Sequence, residues 1–179
     1  SEIPWILGMD VNPWVCHIAE FTLWLSVFQD EQIKTLEEKN KFSHKIRIFS
    51  GDFLLKGDTI LQPFLPIHLI IGNPPYIRNS DIIDPFYVST EKNQLYRKKL
   101  RDSLQSLTNV NEINNLRLDY TLYFFYHSLE ILDKRGILGF ITSNSWMNVK
   151  YGFNFQQYLL ENTIPLYFFD NHYSSIHNA

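Results

Sequence analysis

Apolar residues along this chain alternate between short unbroken runs and longer stretches in which they recur at helical spacing. The unbroken runs are Trp5-Ile6-Leu7-Gly8-Met9-Asp10, Ile46-Arg47-Ile48-Phe49, Ile67-His68-Leu69-Ile70-Ile71 and Ile137-Leu138-Gly139-Phe140-Ile141-Thr142. All four predict strands; the run at 67–71, apolar almost throughout rather than alternating, predicts a buried parallel strand, and 137–142 a further buried one. A last run, Ile164 to Asp170, predicts a final strand whose Pro165 is tolerated near its start. Between them, Val15, Ile18, Ala19, Leu23 and Val27 predict a helix from Trp14 to about Phe28, capped by Asn12 with Pro13 in its first turn. Residues 29–45 are polar and suit a helix tail and surface connection. Lys56-Gly57-Asp58 suits a linker before a short helical piece at residues 59–64. A second long helix is expected from Tyr120 to Leu132, with Asp119 at its N-terminus and Asp133-Lys134-Arg135-Gly136 as its stop, including a C-cap glycine. A third spans residues 153–162. Strands alternating with helices give an α/β fold with a mostly parallel sheet. Residues 79–116 are long for a β–α connection and predict a helical insertion or lid over the active face.

Composition narrows this picture. A chain of 179 residues, 45% hydrophobic and 20% charged, is about one globular domain. Its net charge of -3 gives no bulk attraction to nucleic acid, so such a partner would need a local basic patch. Tyr96-Arg97-Lys98-Lys99-Leu100-Arg101 is one candidate, for phosphates or as a solvated helix face. The single cysteine, Cys16, allows no intramolecular disulfide and suits a reducing cytoplasm. No signal-peptide pattern and no bilayer-length apolar run occur, so no membrane partner is expected. Scattered histidines, including His172 and His177, give no metal-ligand spacing, and no Ser-His-Asp arrangement stands out.

The candidate chemistry falls at the carboxyl ends of the predicted strands, where open α/β folds place ligands. After Ile71-Gly72 comes Asn73-Pro74-Pro75-Tyr76. Two prolines forbid helix and continued strand, leaving a stiff loop. The Asn73 amide oxygen and the Pro74 carbonyl can accept hydrogen bonds from an exocyclic amine, and Tyr76 offers a ring for stacking on a heterocycle. The same residues also suit an ordinary Pro-rich turn. Asp10 can accept both hydroxyls of a ribose or simply cap a turn. Asp52 can accept from an adenine amine with Phe53 against the ring, or form a Gly-Asp turn with Phe53 in the core. Ser143-Asn144-Ser145-Trp146-Met147 is polar and then aromatic at a fourth strand end.

These segments, in this order, resemble the amino-methyltransferases that act on adenine N6 in DNA, and more closely the methyltransferase portion of combined restriction–modification enzymes. Gly8-Met9-Asp10-Val11-Asn12-Pro13 resembles the family's second motif, which implies that Asp10, beside Val11, binds the ribose of S-adenosylmethionine. Gly51-Asp52-Phe53-Leu54 resembles the third, with Asp52 at the cofactor's adenine amine and Phe53 against its ring. Ile71 to Ile77 resembles the catalytic motif, with Asn73, Pro74, Pro75 and Tyr76. Leu116-Arg117-Leu118-Asp119-Tyr120 through Leu132, Gly136 to Met147, and Tyr151-Gly152 through Leu159 resemble the later motifs. The resemblance implies a Rossmann-like class I methyltransferase three-layer fold, S-adenosylmethionine as cofactor and double-stranded DNA as partner. It implies no metal for the methyl step. Trp146 or Phe153 would help to stack a flipped base, and Arg97, Lys98 and Lys99 would meet phosphates. The glycine-rich first motif should precede Gly8 and is absent, the nearest match being Arg135-Gly136-Ile137-Leu138-Gly139. Residues 1–179 are therefore expected to form one partial catalytic domain, incomplete at its N-terminal side and inactive by itself. A target-recognition domain and a nuclease would lie elsewhere in the parent polypeptide. Asn-Pro-Pro-Tyr alone also marks protein-glutamine and some RNA methyltransferases, and a non-catalytic DNA-binding fragment is a further alternative; the flanking segments favour DNA.

Overall fold

A computed structural model describes residues 4–31, 33–87, 89–107 and 118–169. The chain divides into two compact units, Ser1–Thr142 and Ser143–Ala179. Along the first run β1 (Ile6–Asp10), α1 (Pro13–Gln29), α2 (Leu36–Ser43), β2 (Ile46–Ser50), α3 (Phe53–Leu61), β3 (Ile67–Gly72), α4 (Thr90–Leu107), α5 (Tyr120–Ile131) and β4 (Leu132–Phe140). The second holds a short 3-10 turn, Ser145–Asn148, and α6 (Lys150–Asn162).

The fold is α/β and its strand pairing is parallel. β1 pairs with β2, from Ile6↔Ile46 to Asp10↔Ser50. β3 pairs with β4, from Ile67↔Leu132 to Gly72↔Phe140. Parallel neighbours need long crossovers, and helices supply them. Among the described residues the strands form two separate two-stranded sheets. α1 begins as expected: the Asn12 side chain accepts the Trp14 N–H at 2.9 Å and Pro13 opens the first turn, where its missing N–H costs nothing.

The core lies among α3, α4 and α5. Leu54 and Leu61 of α3 meet Tyr96, Leu100 and Leu104 of α4 and Leu122, Tyr123 and Tyr126 of α5, all buried. Positions 96, 100 and 104 share one face of a helix whose opposite face carries Lys98 and Lys99. Each fully buried leucine stabilises by roughly 1.5–3 kcal/mol. α4 is therefore integral to the core.

Several expectations are corrected. Lys56-Gly57-Asp58 is not a linker but lies inside α3, which Asp52 caps by accepting the Leu54 N–H at 2.9 Å. The polar stretch 29–45 contains α2, started by a capping box in which Thr35 and Glu38 exchange two 3.1 Å hydrogen bonds. Gly136 is not a C-cap. α5 ends at an extended Leu132 whose N–H reaches Ser128 O, and no described glycine has positive φ. Asp133 to Gly136 instead fill an irregularity where the register steps from Ile67↔Leu132 to Leu69↔Ile137, with the Arg135 N–H bonded to Asp133 Oδ1 at 2.9 Å. Residues 164–169 form no strand, since Pro165 lacks a donor and no strand among the described residues pairs with them. Asp170, His172, His177, Leu116, Arg117 and the 108–116 part of the insertion lie outside the described residues.

The run at 67–71 is also not buried on both faces. Ile70, Leu138 and Phe140 point toward α5, where Phe125 sets its ring edge-on to Phe140 at 5.0 Å. The opposite face carries Leu69 (59% exposed), Ile71 (76%), Ile137 (52%) and Ile141 (69%). No described element covers that face. No described helix is long and apolar enough to cross a membrane.

Candidate active site

The β3–β4 ladder closes with Ile141 N–H donating to Gly72 O at 3.0 Å, and the chain then leaves the sheet at Asn73. Pro74 is buried and anchors the turn, while Asn73 and Pro75 are exposed. The Tyr76 ring, 51% exposed, turns back over the loop. Its hydroxyl lies against the Asn73 side-chain oxygen and 3.2 Å from the Ile141 carbonyl. One amide oxygen and one aromatic face thus sit together in the open, at the carboxyl end of a parallel strand.

The loop's far side is held by the start of α5. Thr121 Oγ1 donates to the Pro75 carbonyl at 2.8 Å, and the Tyr120 N–H donates to the Ile77 carbonyl at 2.8 Å. Asn79 adds bonds to Asp119 Oδ1 (3.3 Å) and Leu118 O (3.0 Å).

At the ends of β1 and β2, two carboxylates have different surroundings. Asp10 is half-buried, and its Oδ1 accepts the Asn12 N–H at 2.7 Å, so its second oxygen is not tied into that turn. Its backbone carbonyl accepts the Gly51 N–H at 2.8 Å, which puts Asp10 beside the segment leading to Asp52. Val11 is exposed. Asp52 is 3% exposed: Oδ1 caps α3, and Oδ2 accepts the Tyr96 hydroxyl at 2.8 Å. Tyr96 in turn shares a 2.7 Å hydrogen bond with Tyr120. Burial raises the Asp52 pKa, while the Tyr96 bond and the backbone donors Leu54 and Leu55 pull against it. Burial also pushes the Tyr120 hydroxyl up to about 12, so the network carries no negative charge beyond the carboxylate. Phe53 stacks on Phe124 with centroids 5.8 Å apart and meets His127 edge-on.

One relay therefore joins the two strand ends. It runs from the Asp52 carboxylate through the Tyr96 and Tyr120 hydroxyls, and Tyr120's own N–H holds the carbonyl of Ile77, one residue past Tyr76. Three basic residues of α4 lie outside this relay. Arg97 is turned onto the carbonyls of Ile82 (2.8 Å) and Ser80 (3.2 Å), while Lys98 and Lys99 point to solvent. In the second unit, Trp146 is buried with its ring edge-on to Phe155 at 5.2 Å, and Phe153 is exposed. Sequence reasoning missed Tyr96, Tyr120 and Thr121 as site residues. The spacing of Tyr96, Leu100 and Leu104 was the available signal that Tyr96 faces inward.

Comparisons with known proteins place the chain in a family. Residues 5–175 match the model of the Eco57I restriction-modification methylases. The chain is 30% identical to the type II methyltransferase M.BstVI of Geobacillus stearothermophilus, over 72% of this chain and 20% of that protein. It is 24% identical to the adenine-specific methyltransferase PglX of Streptomyces coelicolor, over 41% of this chain and 9% of that protein. The chain thus spans a fifth or less of the length of these relatives. Because the family match takes in every described strand and helix, from β1 to α6, the chain belongs to the Eco57I restriction-modification methylase family.

Proposed function

We propose that this chain is the base-holding and cofactor-facing part of an enzyme that transfers a methyl group from S-adenosylmethionine to adenine N6 in double-stranded DNA, within a restriction–modification system. The observation that carries the reading is the Asn73–Tyr76 loop: an exposed amide oxygen and aromatic ring, paired at the carboxyl end of a parallel strand. M.BstVI and PglX, which share sequence with the chain, are named as methyltransferases, PglX as adenine-specific.

The residues fit the cofactor. Asp10 has a carboxylate oxygen outside its turn for the ribose hydroxyls, and Phe53 presents a half-buried ring for the adenine. Asp52 would meet the adenine amine by sharing the Oδ2 that now accepts from Tyr96, since a carboxylate oxygen has a second lone pair. Bound S-adenosylmethionine supplies an electrophilic methyl on sulfonium. The chain's own work is orientation. Asn73 Oδ1, whose second lone pair lies outside the Tyr76 bond, and the Pro74 carbonyl accept the two N6 hydrogens. That keeps the nitrogen lone pair out of the ring and directed at the methyl. Tyr76 stacks on the extruded base. No covalent bond to the protein forms.

We further propose that the chain works inside a longer polypeptide that supplies a glycine-rich cofactor loop, a target-recognition domain and, in the combined enzymes, a nuclease. The short coverage of the relatives and two separate two-stranded sheets, marginal units by themselves, support this. The test is a methyl-acceptor assay on that longer protein with adenine-containing duplexes, RNA and glutamine-bearing release-factor-like proteins. Transfer to N6 of duplex adenine is expected. Asn73→Ala and Tyr76→Ala are expected to abolish it while leaving S-adenosylhomocysteine affinity within about threefold. Transfer only to RNA or protein would replace DNA as the substrate, and parallel loss of cofactor affinity would reassign the loop.

A further inference from the structure

Two proline rings leave the catalytic loop few free torsions. The φ angles of Pro74 and Pro75 are set at about −65° by the rings. The ψ angles of Asn73 and Pro74 are confined to extended values by the proline that follows each. The first open torsion is ψ of Pro75, which sets the direction of its carbonyl and the peptide plane from which Tyr76 projects. That carbonyl accepts from Thr121 Oγ1 at 2.8 Å, and Thr121 is 3% exposed. The next carbonyl past Tyr76, that of Ile77, accepts from the Tyr120 N–H at 2.8 Å. The peptide plane that precedes Tyr76 and the one that follows Ile77 are thus held by consecutive residues in the first turn of α5. The backbone donor is available because first-turn N–H groups have no acceptor within their own helix. The support behind both is firm, since Leu118, Leu122 and Tyr123 are fully buried.

We propose that Thr121 is a positioning residue for methyl transfer: its hydroxyl fixes the Pro75 carbonyl and thereby the Tyr76 ring relative to the Asn73 and Pro74 acceptors. The role rests on the function proposed above. Thr121 touches neither base nor cofactor and acts only through the loop. Valine at this position keeps the shape of threonine and removes the donor, whereas serine keeps the donor and removes a methyl.

The experiment compares Thr121→Val and Thr121→Ser in the longer protein that carries this chain. Thr121→Val is expected to slow single-turnover methyl transfer to duplex adenine by about 10- to 100-fold, the range that a displacement of about 1 Å produces. The KM for DNA and the Kd for S-adenosylhomocysteine should stay within about twofold, and Thr121→Ser should recover the rate to within about threefold. A duplex with 2-aminopurine at the methylated position should show altered stacking fluorescence with Thr121→Val only. Unchanged transfer in Thr121→Val overturns the proposal. So does equal loss in Thr121→Val and Thr121→Ser, or a loss of cofactor affinity in step with rate, either of which marks a plain folding role. If Thr121→Val does not fold, Thr121→Ala against Thr121→Ser makes the same comparison. A wild-type protein that methylates RNA or protein instead overturns the DNA reading alone, and the same series is then read on that acceptor.

Discussion

Asp52 and His127 are both buried, and their linkage to pH has opposite signs. His127 packs beside Phe53 and shares a 3.1 Å hydrogen bond with Ser103. Burial lowers its pKa from the ordinary 6.5 to about 4. Neutral imidazole is favoured by folding, so this contribution is complete above pH 6.5 and is lost as pH falls toward 4. The loss at pH 4 is about 3 kcal/mol. Urea unfolding of wild type and His127→Gln should therefore converge by about that amount between pH 7.5 and 4, and parallel curves would refute the assignment. Asp52, with a raised pKa, favours folding most in its protonated form, so its contribution declines as pH rises through the carboxylate range. What offsets that decline is the Tyr96 hydroxyl. Tyr96→Phe should cost about 2 kcal/mol at pH 7, where the buried carboxylate loses a donor. The cost should shrink at pH 4; an equal cost at both would mean that Tyr96 acts by packing alone. At this scale the sequence was legible where chemistry is local. Asn73 to Tyr76 stood out because proline constrains its own neighbours. Tyr96, Tyr120 and Thr121 did not, because their partners lie 44, 24 and 46 residues away.

Elements were legible to the extent that their start and stop signals are short-range. Asn12-Pro13 marked α1, and the Thr35–Glu38 box equally marks α2, though the polar sequence around it suggested only a connection. The expected strand after Ile164 failed for a different reason: a strand is defined by a partner, and apolar content alone provides none. Glycines show how an element can depend on a single missing atom. A Cβ on Gly57 would sit 2.7 Å from a ring carbon of Phe53, a side chain with some room to shift. A Cβ on Gly152 would fall 1.6 Å from the Trp146 backbone oxygen, which no rotamer relieves. Gly152 is thus the residue that lets α6 follow the 145–148 turn so closely. Gly152→Ala should destabilise that junction by about 3 kcal/mol or more, at the upper end of overpacking costs. Tryptophan emission and amide exchange across residues 150–162 would register it, and unchanged protection would show that the turn yields freely.

At the scale of the whole chain, the apolar runs announced a parallel α/β fold correctly but could not say what covers each strand. A run of Ile and Leu shows that a strand is suited to burial on both faces; the element that buries it can come from anywhere. In β3 and β4 one face is met by α5, and the other leaves Leu69, Ile71, Ile137 and Ile141 exposed. Contiguous apolar surface next to strands that, among the described residues, each have a free edge favours self-association. The chain by itself should therefore bind a hydrophobic dye and self-associate. Ile71→Lys should reduce both at a stability cost below about 1 kcal/mol, because a side chain already 76% exposed loses little burial. In the longer protein the expectation reverses. If additional polypeptide covers this face there, the same lysine becomes a buried, unpaired charge and should destabilise by several kcal/mol. Measuring one substitution in both settings thus separates a sheet face that solvent always meets from one completed by the rest of the enzyme. Equal, small costs in both would remove the sheet argument for a longer catalytic domain.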